Sequence, residues 1–190
     1  MWYKNILWIS LFFFFPTEKT KWVVSESSSL SVNGSTNINK FSCVIPTYDQ
    51  TDTLTMAKVD KGVVLTGNIG LKIESFDCHN SIMTSDLRKT LKEKQYPRLY
   101  IHFLSLSEFP QLTTEPKSIT GWVNIELAGT TKRVEIKYQV SMDDQKVIHL
   151  LGSQDINFSD FNLVPPRKLG GMIKTNDLLS VAFHLKIKAI

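Results

Sequence analysis

From Arg133 to Asp143 every even position is apolar (Val134, Ile136, Tyr138, Val140, Met142) and every odd position up to 141 is polar. This is the period-two pattern of a strand with one face in a core and the other in water. The same alternation runs from Leu179 to Ala189, where Leu179, Val181, Phe183, Leu185 and Ile187 interleave with Ser180, His184, Lys186 and Lys188. It recurs in Ile119, Val123, Ile125 and Leu127, and in Leu99, Ile101 and Phe103. Weaker runs over 21–34, 38–45, 51–59, 63–75 and 147–156 bring the expected total to about eight or nine strands. Ala128-Gly129-Thr130 and Asp143-Asp144-Gln145 carry turn chemistry between alternating runs, so 119–156 is predicted to be a three-stranded antiparallel meander.

One segment departs from this period. Thr84 to Gln95 offers a Thr84 or Ser85 cap, an acidic first turn at Asp86, Leu87 and Leu91 four apart, and a lysine-rich end before Tyr96-Pro97. These features predict one short helix over about 84–95 with a narrow apolar stripe. The fold class is therefore all-β with a single helix. Antiparallel strands of this number either stack as a sandwich or close as a barrel. Closure matters for function, because an eight-stranded barrel is just wide enough to hold one small ligand.

The amino-terminal residues have a different character. Lys4 precedes the ten uncharged residues Ile6 to Phe15, which Pro16 and the polar run Thr17 to Lys21 follow. This is the order of a secretory signal peptide, with processing expected between Pro16 and Lys21; residues 21–190 then form a single domain. The apolar stretch is too short for a spanning helix of roughly 20 residues, so the protein is expected to be periplasmic or secreted, with no transmembrane segment. Export permits Cys43 and Cys78 to pair. Such a disulfide closes a loop of about 35 residues, worth roughly 4 kcal/mol at most in the chain-entropy model; the alternative is two separately buried thiols.

Charge and chemistry narrow the function by exclusion. A net charge of +4 with 22 basic and 18 acidic residues, interspersed in sign, is too mild for a nucleic-acid footprint. The two Cys and four His lack metal-site spacing, and no nucleophile elbow, zinc-protease, phosphate-loop or dinucleotide motif occurs. His102 and His184 fall on the polar faces of strands, and His149, between Ile148 and Leu150, is ambiguous. No catalytic, metal or cofactor residue is assigned. Asn33-Gly-Ser and Asn157-Phe-Ser match a glycosylation sequon.

Five motifs in order carry a family resemblance: Met83-x-x-Asp86-Leu87; Tyr96-Pro97-x-Leu99-x-Ile101-x-Phe103; Ile119-Thr-Gly121 through Gly129-Thr130-Thr131 to Val134; Gly152 with Asp160-Phe161-Asn162-Leu163; and Gly171-x-Ile173 through Asp177 to Phe183. The chain resembles the YceI-like family of bacterial proteins. Trp22-Val-Val, Ser29 to Asn37 and Phe41-Ser-Cys43 are similar to the form seen in Bacteroidetes-like members. The resemblance implies an extended, eight-stranded antiparallel, lipocalin-like β-barrel that is exported, is not an enzyme, needs no cofactor and binds a polyisoprenoid or similar long-chain amphiphile along its axis.

A barrel turns the apolar strand faces inward, which makes Phe103, Val123, Ile125, Ile136, Tyr138, Val140, Ile148, Leu150, Val181 and Phe183 the candidates for lining the cavity. Such residues can equally pack on one another. Tyr138 stands out, because a phenol on an apolar face needs a hydrogen-bond partner. For a phosphorylated head group, Arg88, Lys92 and Arg98 are the candidate contacts. The expected assembly is a monomer or homodimer. The competing readings are a filled barrel acting through a protein partner and an uncharacterised enzyme.

Overall fold

The computed structural model describes residues 19–60 and 62–190. The apolar segment Ile6 to Phe15, read as a signal peptide, lies outside the described residues. Ten strands join in one antiparallel sheet: β1 (Lys19–Val24), β2 (Ser29–Ser35), β3 (Lys40–Ile45), β4 (Thr53–Lys58), β5 (Val63–Lys72), β6 (Arg98–Leu106), β7 (Lys117–Leu127), β8 (Thr130–Met142), β9 (Ile148–Asn157) and, after a small hairpin of β10 (Arg167–Lys168) with β11 (Ile173–Lys174), β12 (Leu178–Ala189). The helix α1 (Ser81–Thr90) lies between β5 and β6.

The sheet closes through β12. One edge of β12 pairs with β9 along Leu178 to Ile187, and the other is shared by β2 over Ser180 to His184 and β1 over Ile187 to Ala189. β1 and β2 are thus one barrel strand broken at Ser25 to Ser28, where the Ser25 N–H donates to the Lys186 carbonyl and the Ser28 hydroxyl accepts from the Lys186 N–H at 3.0 Å. β3 and β4 form a second broken strand alongside it, pairing with β2 and β1 respectively. Counted this way the molecule is a closed eight-stranded antiparallel barrel of lipocalin-like, all-β architecture. The run 21–34, continuous by pattern, is therefore interrupted. Serine hydroxyls bonding locally to backbone compete with ladder pairing, which is what four consecutive residues from Ser25, three of them serine, provide here.

The meander expected over 119–156 is present as β7, β8 and β9. Ala128 and Gly129 both adopt positive φ, 51° and 79°, the two-residue turn whose twist suits a hairpin.

The helix begins three residues before the predicted start and ends about a turn early. Asn80 caps it, its side-chain oxygen accepting from the Met83 N–H at 3.0 Å, so Thr84 and Ser85 are interior and Asp86 is not in the first turn. Lys92 enters the left-handed region at φ 56°, its N–H donates to Lys89 and the Glu93 N–H to Arg88. Those two bonds close the helix as a Schellman motif, with lysine where glycine is usual.

At the α1 end, β3 has an outer edge with no strand neighbour among the described residues. Val44 and Asp77 exchange two backbone hydrogen bonds there, at 2.7 and 2.9 Å, and a Cys43–Cys78 disulfide fastens the same seam. Of the two readings of the cysteines, the structure holds the paired one.

Candidate ligand site

The barrel interior has two unlike halves. At the end away from α1, Trp22, Leu54, Leu65, Val123, Val140, Ile148, Leu150 and Ile187 are all buried and packed on one another. Four of the ten candidate lining residues, Val123, Val140, Ile148 and Leu150, belong to this filled half; they face inward as their parity requires, but neither apolar cavity reaches them.

The other six surround open space. Ile125, Ile136, Val181 and Phe183 line a cavity of about 80 Å³ beneath α1, with Leu30, Val32, Leu99, Leu127 and Leu179 from the strands and Phe76, Leu87 and Leu91 above. Phe103, Tyr138, Ile136 and Phe183 line a smaller one of about 20 Å³ at the waist, with Tyr48, Ile69 and Leu71. Leu30, Ile101, Ile136 and Phe183 border both and form the partition between them.

The partition has a local cause. Across β8, β9 and β12 the residues Tyr138, Gly152 and Phe183 stand in register. A Cβ on Gly152 would fall 2.1 Å from Phe183 Cζ, so the far end of the ring occupies the space that a side chain at 152 would need. It meets Tyr138 edge-on, with centroids 5.9 Å apart at 64°. Any side chain at 152 displaces Phe183 from the partition.

Polar groups inside are few. The Tyr138 hydroxyl is buried and has no hydrogen-bond partner among the described residues. Burial pushes its pKa well above the ordinary phenol value, so it is a neutral O–H at physiological pH. The Tyr48 pKa is raised as well, first by burial and then by its hydrogen bond to Asp52, which already uses its O–H. Gln154 lines the larger cavity opposite Val181; its inward parity follows from Leu150 and Gly152, but the weak alternation of β9 hides it in the sequence. Leu87 and Leu91 were legible as a helix stripe, though nothing local says that the stripe roofs a cavity.

The three candidate head-group cations stand outside. Arg88 donates to the carbonyls of Glu74 and Phe76, the latter at 2.9 Å, and so ties α1 to the preceding segment. With Lys92 it lines an open outer groove along α1. Arg98, on the outer parity of β6, donates to the Gly70 carbonyl at 3.2 Å. Neither apolar cavity includes any of them. A cation on inward parity at the α1 end is Lys132, cross-strand partner of Ile125 and exposed at the rim.

The histidines of the strands lie on the outer wall. His149 and His184 approach at 2.8 Å, and His149 Nε2 stands 3.1 Å from Asp143 Oδ2. Partial burial, then the neighbouring His149 and Lys186 charges, hold the His184 pKa below its usual value. His102 sits 3.3 Å from Glu126. Among the described residues no group of three or more His, Cys, Asp or Glu has a geometry that could hold a metal ion.

A closed barrel with an apolar, partly hollow half matches known proteins. The family model described as the YceI-like domain matches residues 18–187. The chain belongs to the YceI-like family. Among solved structures, a polyisoprenoid binding domain from Saccharophagus degradans, implicated in plant cell wall breakdown, is 13% identical with a TM-score of 0.67, over 89% of this chain and 98% of that one. BcnA from Burkholderia cenocepacia is 13% identical with a TM-score of 0.62, over 84% and 95%. At such identities the likeness is one of fold. No curated protein matches the sequence significantly.

Proposed function

We propose that this YceI-like barrel is an exported, non-catalytic carrier that holds the hydrocarbon chain of a polyisoprenoid or similar amphiphile beneath α1. The observation that carries the reading is the pair of adjoining apolar cavities whose lining includes one orphaned donor, the Tyr138 hydroxyl. Burial of a long chain is non-directional, at roughly 25 cal/mol per Å² of apolar surface, so a tunnel of aliphatic and aromatic walls is sufficient. Membership of the YceI-like family and the shared fold of the polyisoprenoid binding domain from Saccharophagus degradans support the ligand class. Export rests on the Ile6–Phe15 segment and on the disulfide, which persists in oxidising compartments.

The cavities are far smaller than the roughly 300–1,000 Å³ typical of ligand sites. A long chain therefore requires the Phe183 partition to open and α1 to lift. The same small volume favours a second reading, in which the barrel is filled by its own side chains and acts through a protein partner. Mass spectrometry of an organic extract from protein purified without detergent, with the native mass of the intact species, separates the two. A stoichiometric isoprenoid or other long-chain lipid is expected; a bare-chain mass with no extractable lipid overturns the carrier reading.

Tyr138→Phe gives a second test, because the orphaned hydroxyl costs the folded state about 1–3 kcal/mol in lost hydration. The variant is expected to raise the urea midpoint of the lipid-free protein and to weaken retention of a ligand with an acceptor head group by about tenfold. A lower midpoint would show that the hydroxyl is satisfied in solution.

A further inference from the structure

We infer that the α1 end of the barrel is a docking surface for an anionic lipid bilayer, formed by exposed apolar tips with basic side chains beside them; this rests on the carrier reading and adds the surface with which the carrier exchanges cargo. Four large apolar side chains protrude there: Ile38 at the β2–β3 turn, Ile82 in the first turn of α1, and Leu169 and Met172 at the tip of the β10–β11 hairpin, with 67%, 66%, 69% and 75% of their surface exposed. Single exposed apolar residues are ordinary; a cluster at one end of a barrel marks an interaction site.

The tips are held in place. The Asn37 side chain donates to the Met172 carbonyl and accepts from the Lys174 N–H, both at 2.9 Å, and Thr36 bridges Thr175, which locks the two hairpins side by side. Their exposure is built into the hydrogen bonding of the rim.

Charge selects the partner. Arg167 and Lys174 are cross-strand partners in the small hairpin, and Lys40 opens β3 beside it. All three are exposed, and none has an ion-pair partner within 4 Å among the described residues. Lys168, by contrast, is neutralised by Asp86 at 2.7 Å. Apolar tips flanked by basic side chains suit an interface in which the tips enter the acyl boundary and the cations meet lipid phosphates.

Continuity with the site supports a bilayer over a protein partner. Ile38, Ile82, Met83 and Ile173 line a groove of about 250 Å³ whose floor includes Leu87, and Leu87 also roofs the larger cavity. The groove that opens at the tips and the cavity inside the barrel thus share Leu87 as a common wall, so a hydrocarbon chain leaving a membrane at these tips would enter the barrel where α1 lifts.

The test is flotation with vesicles of equimolar phosphatidylglycerol and phosphatidylcholine, against phosphatidylcholine alone. The protein is expected to float with the anionic vesicles at low salt, and much less with neutral ones. The triple variant Ile38→Ser, Leu169→Ser, Met172→Ser should lose at least tenfold in vesicle affinity. Lys40→Gln, Arg167→Gln and Lys174→Gln should each lose roughly fivefold. Leu151→Ser on the barrel wall should float like the parent. No flotation of the parent protein, as for a rim that engages a protein, or undiminished flotation of the triple variant, overturns the proposal. Lipid extraction on the same preparations keeps the two ideas apart: a lipid-loaded protein that does not float refutes docking alone, and a lipid-free protein refutes the carrier reading.

Discussion

Ile125→Arg and Val181→Arg are expected to abolish lipid retention while leaving a folded barrel. Both residues are half-buried and line the hollow half. An arginine there can extend its stem along the apolar wall and carry its head group to the rim, so the fold survives while the space is filled and charged. A hydrocarbon chain would then have to pack against a partly desolvated guanidinium, at a cost of several kcal/mol, enough to reduce retention by at least a hundredfold. Val123→Arg makes the contrast. That residue is fully buried in the packed half, with no route to water, so the variant should not fold. Lys186→Ala, on the outer face, should retain lipid like the parent. Extracted lipid per mole of protein, read beside circular dichroism, checks all four. Equal losses in Ile125→Arg and Lys186→Ala with intact spectra would refute the assignment of faces.

Replacing both cysteines, Cys43→Ser with Cys78→Ser, is expected to cost about 2–4 kcal/mol and to lower the unfolding midpoint by roughly 10 °C. The bridge spans 35 residues of sequence, and its removal frees the unfolded chain. A domain with a total stability of about 5–15 kcal/mol loses a large share of it. The damage should begin locally. β3 is held at this edge by the Val44–Asp77 backbone pair, so the amides of Val44 and Asp77 should gain hydrogen exchange ahead of β7 and β8, and lipid should leak at temperatures where the barrel is still folded. An unchanged midpoint in the double variant would mean that the ladder and the Arg88 contacts to Glu74 and Phe76 hold the seam without the bridge.

The strands were legible in the sequence because one face of each is in the core and the other in water, and that contrast is written at period two. β8 and β12 show this most plainly, and the Ala128-Gly129 hairpin between β7 and β8 is equally local, since both residues need positive φ. The inward parity of Tyr138 and Phe183 follows from the same alternation. The start of α1 was misplaced because Asn80, Thr84 and Ser85 are all acceptable caps by type. Which of them is used depends on where the Cys78 seam delivers the chain.

What the tertiary structure decided is which inward residues face space and which face each other. Val123 and Ile125 are indistinguishable by pattern, two residues apart on one strand face. One is packed in the filled half and the other lines a cavity, because α1 spans its end of the barrel with only Leu87, Leu91 and Phe76 beneath it. The head-group candidates Arg88, Lys92 and Arg98 stand outside that interior for a related reason: a cluster of cations in sequence says nothing about which side of a wall it occupies, and Arg88 bonds two backbone carbonyls that come from another segment. Closure itself was hidden as well. It depends on β12 sharing one edge between β1 and β2, a pairing between the two ends of the domain for which no local pattern exists. Alternation sets which face of a strand is buried; cavities, seams and closed edges arise from elements distant in sequence, and only their assembly determines them.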